Sequence, residues 1–390
     1  MNALAALLLV AAQPLPPPPR EMRGLWVVRT ALVSPEAVDQ AVDQAVEAGF
    51  NALFVQVRGR GDAFYASGLV ARSALLQGQP EDFDPLARLL ERARGRGLSV
   101  HAWINVLLAA GFGAPLAPGH VIAQHPDWVM VPKPVALAVL KPGAAILSLV
   151  RDAARGDADI EGYYLSPASP GAGDHLEQVV RELVRGYPVD GLHFDFIRYP
   201  GREFDYSRSA LTSFGGRRKT QTPLQLALGS HDAYAEHRRA VLTELLARLA
   251  QAARRERASL QLSAAVVPDE ATALHQKYQD WPAWAAQGIL DAVCPMTYTA
   301  DERIYREQVE RARVLAAPRA VWAGVGAYRL TLDAVIERVA TARASGASGV
   351  VLFSHEALQG ADRRRLREEA FGDPTAAQRA RAAGGSVSPR

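Results

Sequence analysis

Val189-Asp190-Gly191-Leu192-His193-Phe194-Asp195-Phe196-Ile197-Arg198-Tyr199-Pro200 opens as an apolar run and closes on an acid, a cation and a proline. That order suits a buried parallel strand that delivers chemistry at its carboxyl end. Residues two apart in a strand share a face, so His193 and Asp195 point one way and Leu192 and Phe194 the other. Seven further runs of this kind recur, at 22–28, 52–57, 98–106, 260–267, 290–298, 320–326 and 349–354. Amphipathic stretches that predict helices separate most of them, at 35–48, 85–96, 174–186, 231–257, 281–287, 302–315 and 332–345, and one more at 361–369 closes the series. Ser34 and Asp84 stand at N-cap positions, and Gly49 stands just past the first helix. Eight β/α units in succession predict an α/β fold, a closed (β/α)8 barrel. A doubly wound open sheet would carry a glycine-rich phosphate turn after its first strand, and Val27-Val28-Arg29-Thr30-Ala31 contains no glycine.

Two long stretches interrupt the β/α rhythm, 107–173 after the third strand and 201–229 after the fourth. Both fall on the side where βα-loops build active sites, and loops of that length are usually functional or disordered. Their aromatic and charged residues (Trp128, Tyr163, Tyr164; Phe204, Asp205, Tyr206) suggest a substrate groove.

The chain has 390 residues, 49% of them hydrophobic and 22% charged, enough for one large barrel and too apolar for wholesale disorder. The net charge of +3 comes with arginines spread over helix faces, so no compact basic stripe predicts nucleic-acid binding. Cys294, the only cysteine, excludes an intrachain disulfide and reads as a small buried hydrophobe within an apolar strand. Residues 3–12 are apolar and end in small residues before Gln13, like a short secretory core and cleavage site, although only Met1 and Asn2 precede them. That segment is too short to span a membrane, and residues 14–19 form a stiff proline-rich spacer. The expected organisation is a signal-like segment and linker over 1–19, a barrel domain over 20–372 and a frayed tail over 373–390, in a secreted or periplasmic protein.

The strand tips carry the chemistry. Asp195 and His193 share a face; Gln56 and Arg58 share another by the same parity; His101, Trp103 and Asn105 form a third ladder. Later strands add Asp269, Tyr298, Tyr328, and His355 with Glu356. Glycoside cleavage needs such a ring: two carboxyls flanking the bond, donors for hydroxyls, and flat faces against which sugars stack. Each residue also has a plainer reading. Asp195 could be a structural partner of Arg198 or Arg58, His101 and His193 could shape the barrel, Asp269 could cap a turn, and Glu356 could be a first-turn acid. Trp128, in a loop, is the best candidate for a surface platform. Metal ligation finds little support, because His193-x-Asp195 stands alone without a His-Glu-x-x-His or cysteine cluster. No Gly-x-Ser-x-Gly elbow presents a serine, and no cofactor is expected.

Several stretches together resemble glycosyl-hydrolase-like family 10: Glu21-Met22-Arg23-Gly24-Leu25-Trp26, residues 51–58 (NALFVQVR), Val100-His101-Ala102-Trp103-Ile104-Asn105 with His125-Pro126-Asp127-Trp128, and residues 187–200. The likeness continues through Leu165-Ser166-Pro167 and Pro295-Met296-Thr297-Tyr298 to Gly349-Val350-Val351-Leu352-Phe353. The resemblance implies a TIM barrel that hydrolyses O-glycosidic bonds of a bacterial cell-wall or other extracellular glycan, with Asp195 at the acidic position of the fourth strand. Many relatives carry a second acid directly after that aspartate, where this chain has Phe196. The partner carboxylate would then be Asp269, Glu356 or an insertion residue such as Asp205. The expected catalytic set is Asp195, Asp269 and Glu356, and the expected substrate-binding set is Arg58, His101, Trp103, Asn105, Trp128, His193, Arg198, Tyr298 and Tyr328. A glycan-binding barrel without turnover, and a metal-assisted hydrolase using His193 and Asp195, are the competing readings. Arg198 beside Asp195 should favour its charged form, leaving the acid role to a carboxyl in a more apolar setting.

Overall fold

Among the described residues ten strands form in chain order: β1 Met22–Val27, β2 Ala52–Arg58, β3 Ser99–Asn105, β4 Leu108–Ala110, β5 Tyr163–Tyr164, β6 Gly191–Asp195, β7 Gln261–Val266, β8 Ala292–Pro295, β9 Ala320–Gly326 and β10 Gly349–Phe353. Eight of them, all but β4 and β5, close into one parallel barrel in the cyclic order β1-β2-β3-β6-β7-β8-β9-β10. The computed structural model describes residues 21–372 apart from 114, 118 and 216–220, so the signal-like segment and the C-terminal tail lie outside the described residues. No helix among the described residues is long and apolar enough to cross a membrane.

The alternation read from the sequence sorts the strand side chains into two sets. Leu25, Val27, Leu53, Val55, Ile104, Leu192 and Phe194 join the layer between sheet and helices. Trp26, Phe54, Trp103, Cys294, Trp322 and Val351 fill the lumen, which in an eight-stranded barrel has room only for side chains. The helices bury their matching faces in the outer layer, as with Val38, Ala41, Val42 and Ala45 of the helix Pro35–Glu47. Ser34 and Asp84 cap as the sequence predicts, accepting from Ala37 N at 3.2 Å and Ala87 N at 2.9 Å. The helix expected to begin at 174 begins at Pro170, because Ser169 caps it and Pro170 suits its first turn.

The two insertions are tied to one another. Asp205 Oδ1 accepts from Val131 N at 2.9 Å and Ser207 N at 2.7 Å, and Tyr206 N donates to Val131 O at 2.8 Å. Tyr163 and Tyr164 are buried in the small antiparallel sheet of β4 and β5, and Phe204, Asp205 and Tyr206 are buried as well. These residues, expected in an open groove, hold the insertions together instead, because loops this long need an apolar core of their own.

Lumen packing leaves one position no choice of residue. A Cβ at Gly191 would sit 2.1 Å from Nδ1 of His101, its neighbour on β3, and that imidazole is stacked on Phe54 with ring centroids 4.6 Å apart. Gly191→Ala should therefore destabilise the protein by about 1–3 kcal/mol, the usual cost of overpacking. A urea-unfolding midpoint equal to wild type would show that this layer is not close-packed.

Candidate active site

At the carboxyl ends of the strands a cavity of about 350 Å³ opens above the lumen residues. Trp26, Trp103, Tyr298 and Phe353 supply its aromatic surface, with Trp26 edge-on to Tyr298 at 6.2 Å and to Phe353 at 6.0 Å. Gln56 and Asn105 form a polar wall. Asn105 is fixed by three contacts: Trp103 Nε1 donates to its Oδ1 at 2.9 Å, Gln56 Nε2 donates to the same oxygen at 3.5 Å, and its Nδ2 donates to Gly59 O at 2.8 Å. Arg29, Arg60, Arg198, Asp195 and Glu161 complete the lining.

Asp195 ends β6 and is only 7% exposed. Its Oδ1 accepts from Phe196 N at 2.6 Å and from Arg198 Nη1 at 3.0 Å, while no described residue donates to Oδ2. Phe196 has a φ of 49°, a left-handed kink just after the strand that redirects the chain beyond it. The guanidinium of Arg198 lies 4.1 Å from the centroid of the Phe196 ring. The aromatic residue that follows Asp195 thus packs the cation that holds it. Glu161 comes from the first insertion, its side chain 45% exposed, with Oε2 3.4 Å from Arg60 Nη2. Burial and the nearby Asp195 carboxylate raise the Tyr298 phenol well above its ordinary range, so it stays protonated and able to donate.

Asp195, Trp103, Asn105, Arg198 and Tyr298 therefore meet in the cavity as the sequence suggests. Tyr328 stands at the rim, 54% exposed, edge-on to Tyr298 at 6.2 Å and to Phe353 at 5.9 Å. The others lie elsewhere. A bulge between Gln56 and Arg58 breaks strand parity, so Gln56 faces the cavity while Arg58 is buried away from it, donating to the carbonyls of Asn105 and Val106. Trp128 lies against the helix Pro170–Gly186, where a Cβ on Gly171 would be 2.4 Å from its ring, and it stacks on His125 at 3.8 Å. Asp269 caps the helix Glu270–Gln276 by accepting from Thr272 N at 2.8 Å. Glu356 accepts from Thr30 Oγ1 at 2.6 Å in a separate surface crevice with Gln40 and Arg363. Asp205 is locked in the insertion contacts, where burial raises its carboxyl against the hydrogen bonds that stabilise it.

His101 and His193 lie beneath the cavity, fully buried. Trp26 Nε1 donates to His193 Nε2 at 3.2 Å, which leaves Nδ1 to donate to Ser263 Oγ at 2.9 Å. Both ring nitrogens are engaged, leaving no lone pair for a metal. Among the described residues, no group of three or more His, Cys, Asp or Glu side chains is placed to hold one. Several cavity residues went unread in the sequence, Arg29, Arg60, Glu161 and Phe353 among them. Arg29 and Arg60 lie two residues past the ends of β1 and β2, so the strand-tip rule could have found them; Phe353 is the last residue of β10. Glu161 carries no local signal, since an acid within a long insertion has no parity to read.

The fold places the chain among β/α barrels, with two carboxyls and several aromatic rings lining one cavity at the rim. The sequence pattern of the family described as Glycosyl hydrolase-like 10 matches residues 21–330, and the chain belongs to that family. It is 24% identical over 296 residues to glycosyl hydrolase DigH of Escherichia coli K12, covering 69% of this chain and 59% of that protein. It is 31% identical over 166 residues to glycosyl hydrolase YngK of Bacillus subtilis strain 168, covering 40% of this chain and 27% of that one. The chain thus matches little more than half the length of DigH and about a quarter of YngK. Among solved structures, the PgaB (BpsB) glycoside hydrolase domain of Bordetella bronchiseptica superposes with a TM-score of 0.67 at 16% identity, over 91% of this chain and 100% of that one. The catalytic domain of β-amylase from Paenibacillus polymyxa gives 0.60 at 12% identity, over 90% and 97%. At those identities the likeness is one of fold.

The buried histidines make the barrel acid-sensitive. Burial lowers His101 to about 4, and burial with the influence of His101 lowers His193 to about 3. In the unfolded chain both titrate near ~6.5. Below that pH the unfolded state binds protons that the native state refuses, so stability falls as pH drops from there towards the native values. Each group contributes a slope of at most about 1.4 kcal/mol per pH unit. His101→Gln should flatten the curve of unfolding free energy between pH 6.5 and 4, whatever its effect on absolute stability. An unchanged slope would mean that the imidazole is hydrated in the native state.

Proposed function

We propose that the protein hydrolyses O-glycosidic bonds of an extracellular or cell-wall polysaccharide, with Asp195 and Glu161 as its two carboxyls. The observation that carries this reading is that both face one cavity with an aromatic surface, from opposite sources in the chain, a strand end and an insertion. Sugar rings stack on Trp26, Trp103 and Phe353, and Tyr328 extends the platform outward. Asn105, Gln56 and the Tyr298 phenol serve the hydroxyls. Asp195, held by two donors on one oxygen, turns its other oxygen towards the anomeric carbon as nucleophile, base or oxocarbenium stabiliser. Glu161, held by a single long contact, carries the proton to the leaving oxygen. The apolar segment over 3–12 and the following prolines support action outside the cytoplasm.

A binding barrel without turnover is the second reading, favoured by Phe196 at the position where the family resemblance implies a second acid. Both readings are tested on a panel of defined oligosaccharides. Asp195→Asn should lower turnover by at least ~10²-fold, the lower range for losing an acid–base group. Glu161→Gln should do the same on natural linkages yet retain most activity on nitrophenyl glycosides, whose leaving group needs no proton. Wild-type turnover by Asp195→Asn would refute its role. Equal losses on both substrate types would refute a proton-donating Glu161, and oligosaccharide binding with no product from the wild-type protein would establish the second reading.

A further inference from the structure

The cavity holds a cation that the glycosidase reading leaves unused. Of the guanidiniums lining it, Arg198 is paired with Asp195 at 3.0 Å and Arg60 with Glu161 at 3.4 Å. Arg29, which follows β1, has no carboxylate at ion-pair distance among the described residues. Its Nη1 donates to Gln56 Oε1 at 3.1 Å, and its backbone N donates to the same oxygen at 3.4 Å. A half-buried guanidinium satisfied only by an amide, beside a second cation, is poorly compensated. Burial and Arg60 both push its pKa down, while Asp62 and Glu161 oppose them from a distance. Gly59 fixes where that charge lies: a Cβ there would come within 2.9 Å of Arg29 Cδ and 3.2 Å of Nη1. The bare backbone of Gly59 lets the guanidinium lie against the end of β2, at the cavity wall.

From this geometry we infer that Arg29, with Arg60 beside it, is an anion subsite, and that the glycan carries a carboxylate on the sugar bound there. The inference rests on the glycan reading above and names its substrate class. Arg29 is the one guanidinium of the lining without an acidic partner among the described residues, and a single unpaired cation suits a monoanion. The planar fork of an arginine matches a carboxylate with two parallel hydrogen bonds. A phosphate would bring nearly two charges against one unpaired guanidinium, beside the Asp195 carboxylate. The carboxylate could belong to a uronic acid ring or to a lactyl ether on an amino sugar, and both offer the same group to Arg29.

The test is calorimetric titration of the full chain with three hexasaccharides: hyaluronan for the ring carboxylate, a lactyl-bearing amino-sugar glycan for the ether carboxylate, and neutral chitohexaose. At least one acidic ligand should bind ~10-fold or more tightly than chitohexaose, as expected for a new charge-assisted hydrogen bond. The acidic ligand that does so identifies the source of the group. Arg29→Gln keeps a hydrogen-bond donor and removes the charge, so the ratio of acidic to neutral affinity should fall towards one. Gly59→Ala, which displaces the guanidinium without removing it, should reduce the ratio in the same direction and guards against misfolding of the first variant. No acidic preference in the wild-type protein, or a preference that survives both substitutions, overturns the inference. If chitohexaose is bound and cleaved as well as the acidic ligands, the subsite alone falls and the glycosidase reading stands. If no glycan of either charge binds, both fall together.

Discussion

The hydrogen-bonded chain from Trp26 through His193 to Ser263 sets the floor on which the rest of the site stands. It links β1, β6 and β7 across the lumen, and only a neutral imidazole can complete it, donating through one nitrogen and accepting through the other. Burial keeps His193 neutral, so the cost of desolvation and the pattern of donors point to the same protonation state. Around this chain the lumen is packed with rings, Phe54 on His101 below and Trp103 with Phe353 above. Charged groups cannot descend into such a layer without unpaired burial, so Asp195, Arg198 and Arg29 collect at the rim. The depth of the candidate active site is therefore a consequence of core packing.

Asp195 shows how the rim is held. Its strand is followed at once by a left-handed residue, an unusual conformation for phenylalanine, and the Phe196 N–H and the Arg198 guanidinium meet on the same carboxylate oxygen. A second acid at 196 would compete for Arg198. Phenylalanine instead offers the cation a ring face, so Arg198 is oriented on one side by charge and on the other by packing. The other carboxyl of the cavity lining, Glu161, is supplied by a different part of the chain.

Most of the fold is legible in the sequence because one rule, alternation along buried strands, repeats in eight places and is reinforced by caps such as Ser34 and Asp84. The same rule finds Asp195, Trp103, Asn105 and Tyr298. It fails at Arg58 for a physical reason: one bulge shifts parity, and nothing in Gln56-Val57-Arg58 announces a bulge. It overstates His101 and His193, since facing the lumen and reaching the cavity differ by one layer of side chains. In the insertions no period exists to read. Aromatic residues there look alike whether they stack on sugar or pack on the protein; Tyr163 and Tyr164 are buried and Trp128 is partly buried against the core, because long loops must build a small core. Glu161 is hidden for the same reason.

The two carboxylates of the cavity differ in what fixes them, and that difference bears on their roles. Asp195 is covalently part of a barrel strand, is almost fully buried and takes two short donors; a group so placed can hold an ångström-level position against a ring. Glu161 rides on an insertion, is half exposed and meets its arginine at longer range. A group that must reach a leaving oxygen, release a proton and recover it from water gains from that freedom, whereas a group that must approach an anomeric carbon does not. The insertion is nevertheless anchored, since Tyr163 and Tyr164 pair its second strand to β4 and Asp205 ties the other insertion to it. Buried aromatics that contribute nothing to sugar stacking thus bear on the chemistry indirectly, by limiting how far Glu161 can wander from Asp195.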